Sequence, residues 1–416
     1  MKKLAIFIMV FAMLTSLLAF NVSAAEKVIY VKDGGTGDGS SPENAMGLGD
    51  SGEAWRDAAL YQAWEELKET GGTIVICGPY TLKKEEAKRT VGAPDIIMDG
   101  WFRNPEATIT YTSVYGGVDY RTTAGAKLQF DDNNTALTFP TATVLKDITV
   151  VAGGCPSGDN RDNYLCAAYQ PLTLGQGTNF VANEAGELPV ILGGHRNYSG
   201  IAAADGDSNI TVDIGNANTI GAIYGNLGYA NKNQYGGSNI TVKSGKVNGI
   251  YGDNQNNHGF GLSGAINITI TGGIICGEVA GTNGGIPVNA FDKEVTPTVN
   301  ITISGGDFTN CTGVKATSQF FDDNVATNTA VQAPAAITVD CSAAPTATYD
   351  KVAAVAGQNV TVTQPTNPNP GGNEGGNQGG NQGGSGNPAT GDIFAIVLAT
   401  MAVSGLGIVV LKKKDF

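Results

Sequence analysis

Between residues 208 and 306 the chain repeats one short alternation of apolar and polar positions four times. The copies are "SNITVDIG" from Ser208, "SNITVKSG" from Ser238, "INITITGG" from Ile266 and "VNITISGG" from Val299. Their asparagines, Asn209, Asn239, Asn267 and Asn300, are 30, 28 and 33 residues apart. The period of two predicts strands with one buried face. Ile210/Val212, Ile240/Val242, Ile268/Ile270 and Ile301/Ile303 point inward, and Thr211, Thr241, Thr269 and Thr302 point outward. A glycine follows each asparagine by six residues: Gly215, Gly245, Gly273 and Gly306. Each is read as a turn needing a backbone that only glycine adopts freely. A second short apolar stretch comes next: "TIGAIYG" at 219–225, "VNGIYG" at 247–252 and "IICGEVAG" at 274–281. Fainter copies of the first strand stand at 146–154 ("KDITVVAGG"), 335–340 ("AAITVD") and 359–362 ("NVTV").

A unit of about thirty residues with two or three short strands cannot bury its apolar face alone, but stacked copies can. The expected fold is all-β, a right-handed parallel β-helix. Its coils rise by about 4.8 Å, so like residues stack on like. Asparagine at the strand entry is expected to tolerate a left-handed turn and to bond its equivalent one coil away. Propeller blades need about 40 residues or more, and sandwich strands would not repeat one tetrapeptide at fixed spacing.

Ahead of the repeats, a helical pattern occupies residues 50–70. Trp55, Ala59, Ala63, Trp64 and Leu67 share one face. Asp50 or Ser51 is the expected N-cap, and Gly71-Gly72 the stop. Such a helix would cover the exposed edge at the end of the stack. The flanking stretches, "VIYVKDGGTGDGSSPENA" (28–45) and "GGTIVICGPYTL" (71–82), resemble the entry of pectin-lyase-like β-helix proteins. The resemblance covers residues 27–363 and implies the fold. It carries no catalytic motif.

Both ends read as addresses. Residues 1–25 have a basic start (Lys2, Lys3), an apolar run from Leu4 to Phe20, and small residues before Glu26, which is the pattern of a cleaved secretory signal. At the other end, nineteen uncharged residues, Ile393–Leu411, would make a helix about 28 Å long, enough to span a bilayer. Lys412–Lys414 follow and would stay on the cytoplasmic side. Asn387-Pro388-Ala389-Thr390-Gly391 precedes the span. This order resembles the LPxTG-type cell-wall sorting signal of Gram-positive bacteria, with asparagine where that family has leucine. The resemblance implies two partners, a membrane sortase and a peptidoglycan precursor. The sortase thiolate would attack the carbonyl of Thr390 and release the chain from Gly391 onward. An amine of the precursor would then take over the thioester. The segment 364–386, rich in Pro, Gly and Asn, is a linker through the wall; it cannot form a core. The domain plan is therefore signal 1–25, β-helix 26–363, linker 364–386 and sorting signal 387–416.

Composition adds two limits. Glycine makes up 59 of 416 residues and charged residues only 15%, which suits repetitive β-structure with frequent turns. Lys2, Lys3 and Lys412–Lys414 leave with the discarded ends, as do Asp392 and Asp415. The 25 basic and 38 acidic residues then become 20 and 36, a net charge of −16. That balance argues against nucleic acid as a partner. It accommodates calcium; no other cofactor is expected. Of six cysteines, Cys155 and Cys166 are the expected disulfide. Cys77, Cys276 and Cys341 are read as small core residues.

Two chemistries compete for function. The first is a wall-anchored surface module, adhesive or carbohydrate-binding, that meets a glycan or a host surface. Loops 224–237 and 251–264 leave the same point of neighbouring coils and are rich in Tyr, Asn and Gly. These can stack on sugar rings and bond hydroxyls. Tyr224 and Tyr251 occupy matching positions, and His195, Arg196 and Asp253 complete the candidate ligand-binding set. The second is an extracellular polysaccharide lyase or glycoside hydrolase, for which Asp205, Asp207, Asp213 and Asp253 with His195-Arg196 are the available acids and bases. Turn packing without a ligand is a third role open to the same residues.

Overall fold

The computed structural model describes residues 26–86, 95–97, 104–132, 135–154, 162–196, 207–226, 229–230, 236–253, 256–257, 264–283, 286–287, 298–318, 331–332 and 336–366. The signal sequence and the sorting tail lie outside them. The chain divides after Pro368 into two units, the second wholly outside the described residues.

Backbone hydrogen bonds run from coil to coil in three long parallel sheets, which makes the molecule a parallel β-helix. Sheet 1 contains Val28–Val31, Gly72–Ile76, Asn104–Thr112, Thr141–Leu145, Pro171–Leu174, Ser208–Asp213, Ser238–Ser244, Ile266–Ile270, Val299–Ile303, Ile337–Asp340 and Val360–Val362, in that spatial order. Sheet 2 stacks Pro79–Leu82, Lys127–Phe130, Thr149–Val151 and Asn179–Val181. Sheet 3 runs from Asp95–Ile97 through Ala136–Thr138, Tyr164–Cys166, Val190–Leu192, Thr219–Tyr224, Lys246–Tyr251 and Ile274–Asn283 to Gly313–Ser318. Early coils visit sheets 1, 2 and 3 in turn. From Ser208 on, the chain passes from sheet 1 to sheet 3 over a short turn.

The repeat fixes this arrangement residue by residue. Asn209 pairs with Asn239, Asn239 with Asn267 and Asn267 with Asn300, and the Ile and Thr positions pair likewise. Ile210, Ile240, Ile268 and Ile301 are all at most 1% exposed. Burying each such side chain contributes about 1.5–3 kcal/mol. Gly215, Gly245, Gly273 and Gly306 all have φ between 85° and 108°, the left-handed region that side chains avoid. The same backbone at the same place turns every coil alike.

The asparagines form the expected ladder. Nδ2 of Asn239, Asn267 and Asn300 donates to Oδ1 of the asparagine one coil earlier, at 2.9, 2.8 and 2.8 Å. They do so from extended strand and not from a left-handed turn; among the described residues, those other than glycine with positive φ are Asp147, Ala168, Tyr169 and Asn359. Pleated strands aligned in register already place the amides within reach.

Three further expectations change. The stretch 146–154 resembles the sheet-1 strand, yet Thr149–Val151 lies in sheet 2, between Lys127–Phe130 and Asn179–Val181. The sheet-1 strand of that coil is Thr141–Leu145. The N-terminal helix is two helices, Ala54–Asp57 and Ala59–Leu67. The N-cap residues are Glu53 and Ala58, not Asp50 or Ser51, and neither makes a side-chain capping bond; the Asp57 carboxylate instead accepts the backbone N–H groups of Ser51 and Gly52, ahead of the first helix, at 2.7 and 3.0 Å. The second helix buries Ala59, Leu60, Ala63, Trp64 and Leu67 in the core. Trp55 sits on the first helix, which buries nothing, and packs edge-on against Tyr61 at 5.1 Å. A C-terminal helix, Thr346–Val355, lies between the last two sheet-1 strands and buries only Thr348 and Val352. Its apolar stripe is too sparse to predict from periodicity.

Cys77 and Cys341 are buried as expected, but Cys276 is half-exposed. Cys155 lies outside the described residues, and with it the Cys155–Cys166 pairing.

Ile240→Asp puts an unpaired charge into the core and should cost several kcal/mol. Thr241→Asp, facing outward from the same strand, should cost far less. Equal melting temperatures for the two variants would contradict the stacking described here.

Candidate functional site

The five candidate ligand-binding residues gather along one edge, where strands of sheet 3 end and the chain leaves for sheet 1. The pairing that aligns them is Cys166 with Leu192, Leu192 with Tyr224, Tyr224 with Tyr251, Tyr251 with Ala280 and Ala280 with Lys315. This column faces outward, because its neighbours Leu165, Ile191, Ile223, Ile250 and Val279 fill the interior. The two loops that follow Tyr224 and Tyr251 also pair with each other, Tyr229 with Asn256 and Ala230 with Asn257.

The outer face of sheet 3 is apolar at its lower end. Ala136, Tyr164, Cys166, Val190 and Leu192 form a buried outer cluster, with Tyr224 packed against it. Tyr251 lies on Tyr224 with ring centroids 4.7 Å apart and planes 12° from parallel. Stacking of this kind contributes about 0.5–1.5 kcal/mol beyond area burial. The ring of Tyr251 also leans over Gly249: a Cβ there would fall 2.9 Å from its Cε2 atom. Burial raises the pKa of both phenols above the usual tyrosine value. The neighbouring Tyr251 adds to this at Tyr224, and the charge of Glu278 adds to it at Tyr251.

Beyond Tyr251 the face becomes polar. The Glu278 carboxylate pairs with Lys315 Nζ at 2.6 Å and accepts a hydrogen bond from Ser318 Oγ at 2.7 Å. The stripe thus runs from buried aliphatic side chains, through two stacked phenols, to an ion pair and a hydroxyl. Glu278 is a polar insertion in the second apolar stretch, and Lys315 and Ser318 lie outside the repeated motifs, so the repeat gave no reason to single them out.

The remaining candidates, His195, Arg196 and Asp253, pack against neighbouring coils at this edge. Arg196 places its guanidinium 5.0 Å from the Tyr164 ring centre, a cation–π contact. Burial pushes the Tyr164 phenol up to about 12, with Arg196 pulling the other way. His195 is fully buried and meets Tyr169 edge-on at 6.0 Å. Tyr169 and Ala168 both have left-handed backbones, φ 62° and 52°, which costs about 1–3 kcal/mol each. Holding them there lets the Tyr169 hydroxyl donate to Asn226 Oδ1 at 2.6 Å. Gly194 makes room, since a Cβ would lie 2.7 Å from that hydroxyl. Asp253 is fully buried too, and Asn283 N–H donates to its Oδ1 at 2.7 Å. This column of buried polar groups, one per coil, is a feature that spacing alone could not reveal.

Of the acids proposed for catalysis, Asp207 and Asp213 do not converge. Asp207 and Asp213 sit at opposite ends of one extended strand, roughly 20 Å apart at 3.3 Å per residue. Asp213 accepts hydrogen bonds from Gln176 and Ser244, both at 2.6 Å. Asp205 lies outside the described residues. Among the described residues there is no group of three or more His, Cys, Asp or Glu side chains placed to hold a metal ion.

Comparison with protein-family models, with curated proteins and with solved structures gives no match to this chain.

Tyr169→Phe should cost about 1–3 kcal/mol in denaturant unfolding, because it leaves the buried Asn226 carbonyl without its donor. Gly194→Ala should cost a similar amount by displacing the same hydroxyl. The double variant should fall well short of the sum of the two, since both remove one interaction. Strict additivity would separate Gly194 from that hydrogen bond.

Proposed function

We propose that this chain is exported, sorted to the cell wall and displayed there as a β-helix that binds carbohydrate at the loop-bearing edge of sheet 3. The anchoring half of this reading rests on the two termini of the sequence. A secretory pattern opens the chain, and Asn387–Gly391 followed by an apolar run and Lys412–Lys414 closes it. The linker at 364–386 would carry the folded part through the wall. At full extension its twenty-odd residues reach about 75 Å.

The binding half rests on one observation, the Tyr224–Tyr251 stack. Its two rings differ in task. Tyr224 is held by the buried outer cluster and acts as a platform. Tyr251 caps that platform beside the Glu278–Lys315–Ser318 group. A sugar ring needs an apolar face to lie on and nearby hydrogen-bonding groups to orient it, and the upper end of the stripe supplies both. A lyase would instead need an accessible acid–base pair. His195 and Asp253 are fully buried, which makes binding the better-supported chemistry.

Two experiments test the halves separately. Thr390→Ala should leave the protein in the membrane fraction or the medium. If it still resists boiling detergent in a wall preparation, the sorting reading fails. On a glycan array, Tyr251→Ala should lose most signal with unchanged circular dichroism, a loss of about 1 kcal/mol per stacking contact. Tyr224→Ala should lose stability as well. Full binding by a folded Tyr251→Ala variant would reassign the stack to packing.

A further inference from the structure

A cavity of about 250 Å³ opens at the first coil, between the turns that follow Val28–Val31 and the end of the strand Pro79–Leu82. The turns at Gly34-Gly35 and at Met46–Leu48 form one wall. They touch closely. A Cβ on Gly35 would strike the Met46 carbonyl oxygen, and one on Gly47 would fall 2.5 Å from that of Gly35. Met46 also bridges to Val31 and Gly37, which fixes the wall in place. Ala59 from the buried helix, Tyr80 from the strand, and Lys83 and Glu86 from the segment after it line the cavity too. At about 30 Å³ per water there is room for roughly eight waters. That is below the roughly 300–1,000 Å³ of sites that take drug-sized ligands.

The carboxylate of this cavity is under-neutralised. Glu86 is 8% exposed. Its Oε1 pairs with Lys83 Nζ at 3.3 Å, longer than the roughly 2.7–2.9 Å of a close charge-assisted hydrogen bond. Lys83 itself is half-exposed. Burial raises the Glu86 pKa; Lys83 opposes the rise, and Asp33 and Glu85 add to it. The Glu86 charge reaches Tyr80, where it adds to the upward shift that burial gives the phenol. The other two charges of the lining have partners within the protein. Lys32 Nζ donates to the Pro42 carbonyl at 2.9 Å. Asp33 Oδ2 accepts the Thr81 N–H and hydroxyl at 3.1 and 2.8 Å. Apolar surface lies beside Glu86. Met46 and Ala59 are buried, while Leu48 is 69% exposed. The next large apolar side chains among the described residues, Val118 and Val181, are each 39% exposed.

We infer that this cavity binds a small organic ammonium ion, its nitrogen on the Glu86 carboxylate and a short aliphatic body against Met46 and Leu48. A carboxylate withdrawn from water gains most from a cation that brings its own hydrogen-bond donors. A primary alkylammonium brings three N–H groups and an apolar chain that covers Leu48. The half-exposed Lys83 side chain can turn into water and leave Glu86 to the ligand. A metal ion fits less well. It needs several oxygen ligands, and among the described residues no three His, Cys, Asp or Glu side chains are placed to hold one. A carboxylate ligand would meet like charge at Glu86. The site lies in the first coil, apart from both termini and from the Tyr224–Tyr251 stripe. The inference therefore depends on neither the wall-anchoring nor the glycan-binding reading.

The test titrates the purified full chain with n-butylammonium, n-butanol and butyrate at neutral pH and reads binding by saturation-transfer NMR. Butylammonium should bind saturably, and butanol and butyrate about tenfold or more weakly, the size of one charge-assisted hydrogen bond. Glu86→Gln should lose the same factor for butylammonium and leave butanol unchanged. Lys83→Met removes the competing ammonium and should tighten butylammonium binding several-fold. Leu48→Ser should weaken it. Circular dichroism confirms that each variant is folded. Butanol or butyrate binding as tightly as butylammonium overturns the inference, and so does a folded Glu86→Gln variant with wild-type affinity. If Glu86→Gln does not fold, Lys83→Met decides: unchanged or weaker binding of butylammonium by that variant overturns the inference. Unchanged binding by Leu48→Ser overturns the placement of the aliphatic body.

Discussion

The fold depends on one constraint: each coil must return to the same register as the one beneath it. A parallel strand meets its hydrogen-bonding needs only from its neighbours, so an error in one coil would orphan donors and acceptors in two others. Three features of the repeat satisfy this together. Inward isoleucines stack on isoleucines and close the core. Glycines with positive φ turn the chain at a constant place. The asparagine ladder couples each strand entry to the next. The register gives way locally at irregularities within the paired strands, between Val212 and Asp213 and between Val247 and Gly249.

A stack has two ends, and there the constraint has no neighbour to act on. The first strand, Val28–Val31, has Gly72–Ile76 as its neighbour in the sheet and meets on its other side just a bridge from Val31 to Met46. The helix Ala59–Leu67 buries Trp64 and Leu67 beside them, and Tyr80 accepts the Leu60 N–H at 3.0 Å. The fit of a helix onto strand ends is thus anchored by a polar contact as well as by apolar area. Near the other end, Thr346–Val355 is tied down through Thr348, whose hydroxyl donates to the Gly306 carbonyl at 3.1 Å. That carbonyl belongs to one of the turn glycines, so the closing helix reads the same backbone feature that turns the coils.

Sheet 3 departs from a half-buried strand in a way that bears on function. Tyr164–Cys166 and Val190–Leu192 are buried at every position. Their inner residues join the core and their outer residues form the cluster that supports Tyr224. Higher up, the outer positions become Tyr224, Tyr251, Ala280 and Lys315, and the face passes from dry to polar. The stacked rings stand at this boundary. Their position follows from the coil pairing, while their surroundings come from coils with quite different outer residues.

The sequence by itself determined the repeating half of the molecule. Inward Ile210 and Ile240, outward Thr211 and Thr241, the turn glycines, the amide ladder and the spacing of Tyr224 on Tyr251 all follow from a local period and a fixed repeat length. Stacking converts such a period directly into contacts. Tertiary structure decided what the period does not encode. A strand buried on both faces reads as a plain apolar run, so Tyr164–Cys166 and Val190–Leu192 carried no strand signal of their own. Thr149–Val151 carries the sheet-1 pattern yet sits in sheet 2, because alternation reports a buried face and not which face it is. The Tyr169–Asn226 hydrogen bond and the Glu278–Lys315 ion pair join residues 57 and 37 positions apart. Only coils that wind to a common axis bring such residues together, and no local pattern records where a coil of variable length will return.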